Sequence, residues 1–127
     1  MLKSTKAERR RYPRIEQKLP VNVEADGYGF ATITKNVSCV GAYCHIDKYI
    51  PPFTKVGVKL SLPTVLKSKE GDSDVECKGV VVRTEDEASG GFNIAIFFNE
   101  IKDTQRNKIS HYISQFLPEE SYNPSRL

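Results

Sequence analysis

The chain has 127 residues, of which 39% are hydrophobic and 28% charged, with eight glycines and seven prolines. That is one domain's length, single domains running about 100–150 residues, and it leaves little room for a two-domain enzyme. The balance is too apolar for wholesale disorder and too polar for a membrane-embedded chain. No run approaches the ~18 consecutive apolar residues of a spanning helix. The basic start, MLKSTKAERRR, has no apolar stretch behind it and does not read as a secretory signal. The net charge of +3 is unevenly placed: residues 1–18 hold seven basic and two acidic side chains, residues 19–127 twelve and fourteen. A basic segment on a near-neutral body implies an anionic partner, whether phosphate ligand, nucleic acid, acidic lipid or acidic protein.

Residues 1–15 are polar, basic and aperiodic and read as a flexible arm, with Pro13 disfavouring helix at Tyr12. Leu19, Val21, Val23 and Ala25 then alternate with polar residues, which predicts a strand with one buried face. Asp26-Gly27 signals a hairpin turn, and residues 29–37, rich in β-branched side chains, read as the return strand. A third short strand is expected over Ala42–Ile46 and, after the break at Pro51-Pro52, a fourth over Lys55–Leu62. Residues 66–74 form a polar loop. Val75–Thr84 reads as a fifth strand, with Val80-Val81-Val82 suggesting burial on both faces. After a loop over Glu85–Gly91, Phe92–Phe98 is a sixth strand carrying Phe92, Ile94, Ile96 and Phe98 on one face. The period then changes: Ile109, Tyr112, Ile113, Phe116 and Leu117 fall at helical spacing, with Asp103 or Thr104 as N-cap and Pro118 beyond the end.

Six short strands followed by one amphipathic helix predict an all-β fold with a C-terminal helix, a six-stranded antiparallel β-barrel lidded by that helix. Closing the sheet removes the exposed strand edges. The organisation expected is a basic N-terminal arm over residues 1–15, a barrel with helix over 16–118, and a frayed tail over 119–127.

Catalytic chemistry is poorly supplied. His45 and His111 are the only histidines, Ser38 has no base near it in sequence, and the acidic residues scatter without fixed spacing. The chain is therefore read as a binding domain, not an enzyme. Cys39, Cys44 and Cys77 form no CxxC pair; an odd count without a signal peptide indicates reduced thiols in a cytoplasmic protein. The spacing of Cys39, Cys44 and His45 matches no zinc pattern, so neither metal nor cofactor is expected. The Asn36-Val37-Ser38 sequon is idle without secretion.

Anion binding is better supplied. Arg9, Arg10, Arg11 and Arg14 fall within six residues, and a guanidinium fork matches both phosphate oxygens and the O6/N7 edge of guanine. In an extended chain Arg10 and Arg14 share a side, roughly 13 Å apart at ~3.3 Å per residue, a separation suited to two anionic groups of one elongated ligand. A second element, Asn36-Val37-Ser38-Cys39-Val40-Gly41, puts an amide and a hydroxyl on one face where a strand ends. Gly41 there either takes a positive φ or lets a ligand approach the backbone. The same residue types are also ordinary turn formers.

Taken jointly, RxxxR in an N-terminal arm and (D/N)xSxxG after the second strand resemble the PilZ family of bacterial cyclic di-GMP receptors. The resemblance covers residues 8–117 and is carried by Glu8-Arg9-Arg10-Arg11-Tyr12-Pro13-Arg14 and by Asn36 through Gly41. Val40 and Ala95 stand where glycines are common in such proteins. The resemblance implies a barrel that binds cyclic di-GMP on its outer surface and is clamped by the arm. Arg10 and Arg14 would hold phosphate and the guanine Hoogsteen edge, Asn36 and Ser38 would bond a guanine, and Gly41 would give clearance. Arg9 and Arg11 flank the motif, Arg9 in position to stack on a second base. Ligand binding would order the arm and signal to a downstream protein. Nucleic acid is not expected as a partner, because the strands lack an interleaved basic and aromatic face, and membrane insertion is not expected for want of a long apolar run. The rival readings are a basic-arm nucleic-acid binder and a PilZ-like protein adaptor without nucleotide.

Overall fold

The computed structural model describes residues 12–63 and 74–117. Six strands and one helix follow in chain order: β1 (Pro20–Ala25), β2 (Tyr28–Ser38), β3 (Gly41–Ile46), β4 (Lys55–Ser61), β5 (Asp74–Asp86), β6 (Phe92–Glu100) and α1 (Asp103–Ser114). All neighbours are antiparallel, and the sheet closes in the order β1-β2-β3-β6-β5-β4. This is the expected barrel with its C-terminal helix.

Period-2 alternation fills the barrel. Val21, Val23 and Ala25 from β1, Val56, Val58 and Leu60 from β4, and Ile94, Ile96 and Phe98 from β6 all point inward and are buried. Three register shifts interrupt the ladders, one in the β2–β3 pairing and two in the β5–β6 pairing, and two of them re-aim side chains. A register shift in β2 between Thr34 and Asn36 moves the inward face from Thr34 to Val37. A second shift in β5, between Val81 and Arg83, turns Val82 and Arg83 outward together. The expected burial of Val80-Val81-Val82 on both faces is therefore wrong. Val81 alone is sealed inside, and Val82 is 48% exposed, because a bulge places two consecutive residues on one side. The β1–β2 turn has Asp26 and Gly27 at φ 49° and 84°, the pair of positive values that a two-residue hairpin needs.

The helix start also differs from expectation. Lys102 is the N-cap, in extended conformation, with no side-chain cap bond, so Asp103 and Thr104 are already inside the first turn. Asp103 there acts on the helix dipole instead of capping a backbone N–H. Ile109, Tyr112 and Ile113 seal one end of the barrel, while Phe116 meets Tyr112 edge-on at 5.1 Å between ring centroids. The Glu76 N–H donates to Gln105 Oε1 (2.9 Å), and Lys108 Nζ donates to the Asp74 carbonyl (3.0 Å), fastening the helix to β5.

The segment before β1 is sewn to β2 rather than paired as a strand. Ile15 and Val37 exchange both backbone hydrogen bonds at 3.0 Å, and the Thr34 N–H donates to the Leu19 carbonyl at 2.9 Å. The buried Thr34 hydroxyl accepts from the Leu19 N–H (2.9 Å) and donates to the Gln17 carbonyl (2.6 Å). Thr34→Val keeps the shape but strands a buried donor and acceptor. It should cost about 1–3 kcal/mol in denaturant unfolding, and no loss would mean that water satisfies both groups.

The β5–β6 loop is pinned electrostatically. The Glu87 carboxylate accepts from Asn93 Nδ2 and, at 3.2 Å, from Lys35 Nζ. Those bonds, the Asn93 one foremost, hold the Glu87 carboxyl below its ordinary value of 4.5. A lowered folded-state pKa contributes stability above the ordinary value, and the contribution disappears as pH falls through the lowered one. In an NMR titration, Asn93→Ala should move the Glu87 midpoint up toward 4.5; an unmoved midpoint would assign the shift to Lys35.

Candidate functional site

Beside the Ile15–Val37 bridge, Arg14 is carried to the outer wall of the barrel, where it edges a depression of about 180 Å³. Asn36 and Ser38 from the end of β2 and Gly41 at the start of β3 line the same depression. Four of the expected residues thus converge: Arg14, Asn36, Ser38 and Gly41. Arg9, Arg10 and Arg11 lie outside the described residues. A larger groove of about 810 Å³ between β5 and the start of α1 has walls of mixed charge, with Asp74, Glu76 and Glu100 against Lys78 and Lys102. None of the residues expected from the sequence to bind a ligand lines it.

Asn36 and Ser38 share a side because the β2 irregularity lies before Asn36, which leaves strand alternation intact from there on. Ser38 is 2% exposed, and its Oγ accepts from the Val40 N–H at 3.1 Å. The hydroxyl therefore shapes the β2–β3 turn while its own proton remains available to an acceptor in the depression. Turn residue and site residue are one and the same here. Gly41 does not use positive φ, which among the described glycines belongs to Gly27, Gly90 and Gly91. The need is space: a Cβ at Gly41 would stand 2.5 Å from the Ile96 carbonyl oxygen of β6. Val40 is accommodated without a positive φ, and its carbonyl accepts from the Phe98 N–H at 2.8 Å.

The far side of the depression holds residues that sequence reading missed. Tyr43 of β3 and Arg83 of β5 line it, with Ala95 of β6 between them. Arg83 Nε lies 2.9 Å from Glu85 Oε2, the Tyr43 hydroxyl donates to Glu85 Oε1 at 2.8 Å, and the Arg83 guanidinium carbon sits 5.6 Å from the Tyr43 ring centre. The hydrogen bond to Glu85 raises the Tyr43 pKa above its ordinary value of 10.0, so the phenol remains a neutral donor. Tyr43 was legible in principle, two residues beyond Gly41 and of equal parity. Arg83 was hidden by the β5 bulge.

The cysteines are not part of the site. Cys39 and Cys44 are buried, and burial pushes the Cys44 and Cys77 thiols up to about 12. Among the described residues no three metal-ligating side chains converge. His45 Nε2 is 2.7 Å from the Gly90 carbonyl oxygen, on the β5–β6 loop, and His111 is exposed on α1.

A closed six-stranded barrel with a terminal helix thus carries this cluster on its outer wall. The PilZ domain profile matches residues 8–115, and the chain belongs to the PilZ domain family. No curated protein matches by sequence. Among solved structures the chain is similar to the Bacillus subtilis inhibitor of motility MotI/DgrA (TM-score 0.72, 16% identity), matched over 84% of this chain and 50% of that one. It is also similar to the PilZ domain of Escherichia coli YcgR, solved with c-di-GMP (0.58, 13% identity, 89% and 94% covered). A further similar structure is Borreliella burgdorferi PlzA in complex with c-di-GMP (0.55, 9% identity, 97% and 60% covered). At these identities the likeness speaks for the fold, and the chain spans half the length of the first of these proteins.

Because the Cβ of any larger residue at position 41 meets β6 backbone, Gly41→Ala should destabilise the barrel by about 1–3 kcal/mol even with no ligand present. Thermal unfolding of the empty protein checks this. An unaltered midpoint would show that β3 can shift away from β6 at no cost.

Proposed function

We propose that this chain is a cyclic di-GMP receptor domain that grips the dinucleotide between its N-terminal segment and the outer wall of the barrel. The observation that carries the reading is the convergence of Arg14, Asn36, Ser38 and Gly41 on one depression of a PilZ domain. The structures of the YcgR PilZ domain with c-di-GMP and of PlzA in complex with c-di-GMP support the choice of ligand.

In this reading Arg14 offers two parallel N–H donors to a phosphate or to guanine O6/N7. Asn36 supplies both donor and acceptor to a base edge, and Ser38 adds the hydroxyl proton that its turn role leaves unused. The depression of about 180 Å³ is smaller than the ~300 Å³ at which whole-ligand pockets begin. Most of the dinucleotide therefore lies above it and is closed over from the N-terminal side, with Arg9, Arg10 and Arg11 supplying the remaining cations. Ordering that segment costs about 1–2 kcal/mol per residue, which the paired charges offset, so affinity is moderate and falls with salt. The ordered segment is then the element a downstream protein would read, in a cytoplasmic, non-enzymatic signalling role.

Calorimetric titration with cyclic di-GMP, with GTP as control, tests this. The cyclic ligand should bind and GTP should bind far more weakly, since a linear mononucleotide reaches only part of the contacts. Arg14→Ala should weaken binding by about tenfold to a hundredfold, corresponding to ~1.5–3 kcal/mol for a charge-assisted pair, with an unchanged melting temperature. Equal affinity for GTP, or steeply salt-dependent binding of any polyanion, would instead favour a nucleic-acid-type arm. Cyclic di-GMP should also protect the bonds after Arg9, Arg10 and Arg11 from trypsin; an unchanged cleavage rate at saturation would refute the clamp.

A further inference from the structure

The motif residues occupy only one side of the depression. Across it, Tyr43, Ala95 and Arg83 stand in one cross-strand row, Ala95 pairing with Tyr43 on β3 and with Arg83 on β5. Adjacent strands are ~4.8 Å apart, so the two outer residues start ~10 Å apart with only a methyl group between them. Their side chains close that gap. The Arg83 guanidinium reaches 5.6 Å from the Tyr43 ring centre, within the range of a cation–π contact. Glu85, two residues further along β5, grips both, one carboxylate oxygen on Arg83 Nε and the other on the Tyr43 hydroxyl.

An isolated surface ion pair is worth little and holds a long side chain poorly. Here two groups, Tyr43 from β3 and Glu85 from β5, restrain one guanidinium that remains more than half exposed. Arg83 and Tyr43 both line the depression. Glu85 engages the Nε edge of the guanidinium and Tyr43 one of its faces, which leaves the opposite face for something else. The outer wall thus carries Arg14 beside β2 and Arg83 on β5, with β3 and β6 between them.

We infer that Arg83, held over Tyr43 by Glu85, forms the far wall of the nucleotide site and receives a purine face of the dinucleotide half remote from the N-terminal segment. The inference rests on the cyclic di-GMP reading above. Arg83 contacts the base, Glu85 is a positioning residue, and Ala95 keeps the trough between the walls open. A guanidinium plane stacks on a purine as an aromatic ring does, and its free edge reaches a phosphate or a base acceptor. An ammonium at the same place would supply charge without a plane.

The test is calorimetry with cyclic di-GMP on the full chain and on Arg83→Ala, Arg83→Lys, Glu85→Gln and the Arg83→Ala/Glu85→Gln double variant. Lys59→Ala serves as control, being an ion-paired residue on β4 away from the depression. Arg83→Ala should lose about tenfold in affinity with its melting temperature unchanged, and Arg83→Lys should not restore it. Glu85→Gln should weaken binding by a smaller factor, and in the Arg83→Ala background should add nothing, since it acts through Arg83. Lys59→Ala should bind as the parent does. If Arg83→Ala binds normally while Arg14→Ala does not, the far wall is overturned and the receptor reading stands. Full rescue by Arg83→Lys would overturn stacking in favour of a simple point charge, and an additive Glu85→Gln effect would overturn its positioning role. If the parent chain itself does not bind cyclic di-GMP, the receptor reading fails, and the inference with it.

Discussion

Two backbone hydrogen bonds, exchanged between Ile15 and Val37, set the geometry on which the outer wall depends. They tie a segment that is not part of any strand to the last turn of β2, and Ile15 and Val37 are both buried beneath the contact. Arg14 and Asn36, each one residue before a partner in the bridge, are thereby brought to the same rim. The Thr34 hydroxyl reinforces this from inside, serving the Gln17 carbonyl and the Leu19 N–H along the edge of β2 that faces β1. A binding motif split across more than twenty residues of sequence thus becomes one local cluster through main-chain pairing, without requiring side chains to find each other.

In the proposed reading, two of the clustered residues serve the fold as well as the ligand. Ser38 closes the β2–β3 turn through the Val40 N–H, and Gly41 permits the backbone of β3 to pass β6 at a distance no Cβ allows. Their spacing is therefore dictated twice. At position 38, a residue that suited only the ligand would open the turn, and one that suited only the turn would remove the hydroxyl proton from the depression. This double constraint explains why so short a pattern can be informative.

The barrel was legible because closed antiparallel sheets write themselves as period-2 alternation, and the switch to helical spacing after β6 is equally plain. Parity placed Asn36 and Ser38 together, whereas Arg14 and Gly41 came from the arginine spacing, the turn chemistry and the resemblance to the family rather than from alternation. What was not legible arises from bulges. Val80-Val81-Val82 reads as a doubly buried run, whereas the shift beside Val81 exposes Val82 and swings Arg83 onto the site wall. Gly41 illustrates a second limit: its identity signals a backbone requirement, but only the neighbouring strand reveals that the requirement is proximity to the Ile96 carbonyl. The helix cap failed for a third reason. Asp103 and Thr104 have cap chemistry, yet Lys102 takes the extended conformation in the short link after β6, and the helix begins one residue early.

Closure of the barrel limits how other molecules can approach it. Each strand is bonded to a neighbour on both sides, so among the described residues the sheet has no edge strand. β-augmentation, in which a partner peptide adds itself as an extra strand and borrows affinity from main-chain bonds, has no template here. Recognition of the barrel must instead read side chains, through shape and charge, and two copies cannot zip together edge to edge. The domain can thus be crowded or concentrated without the self-templating that exposed strands invite.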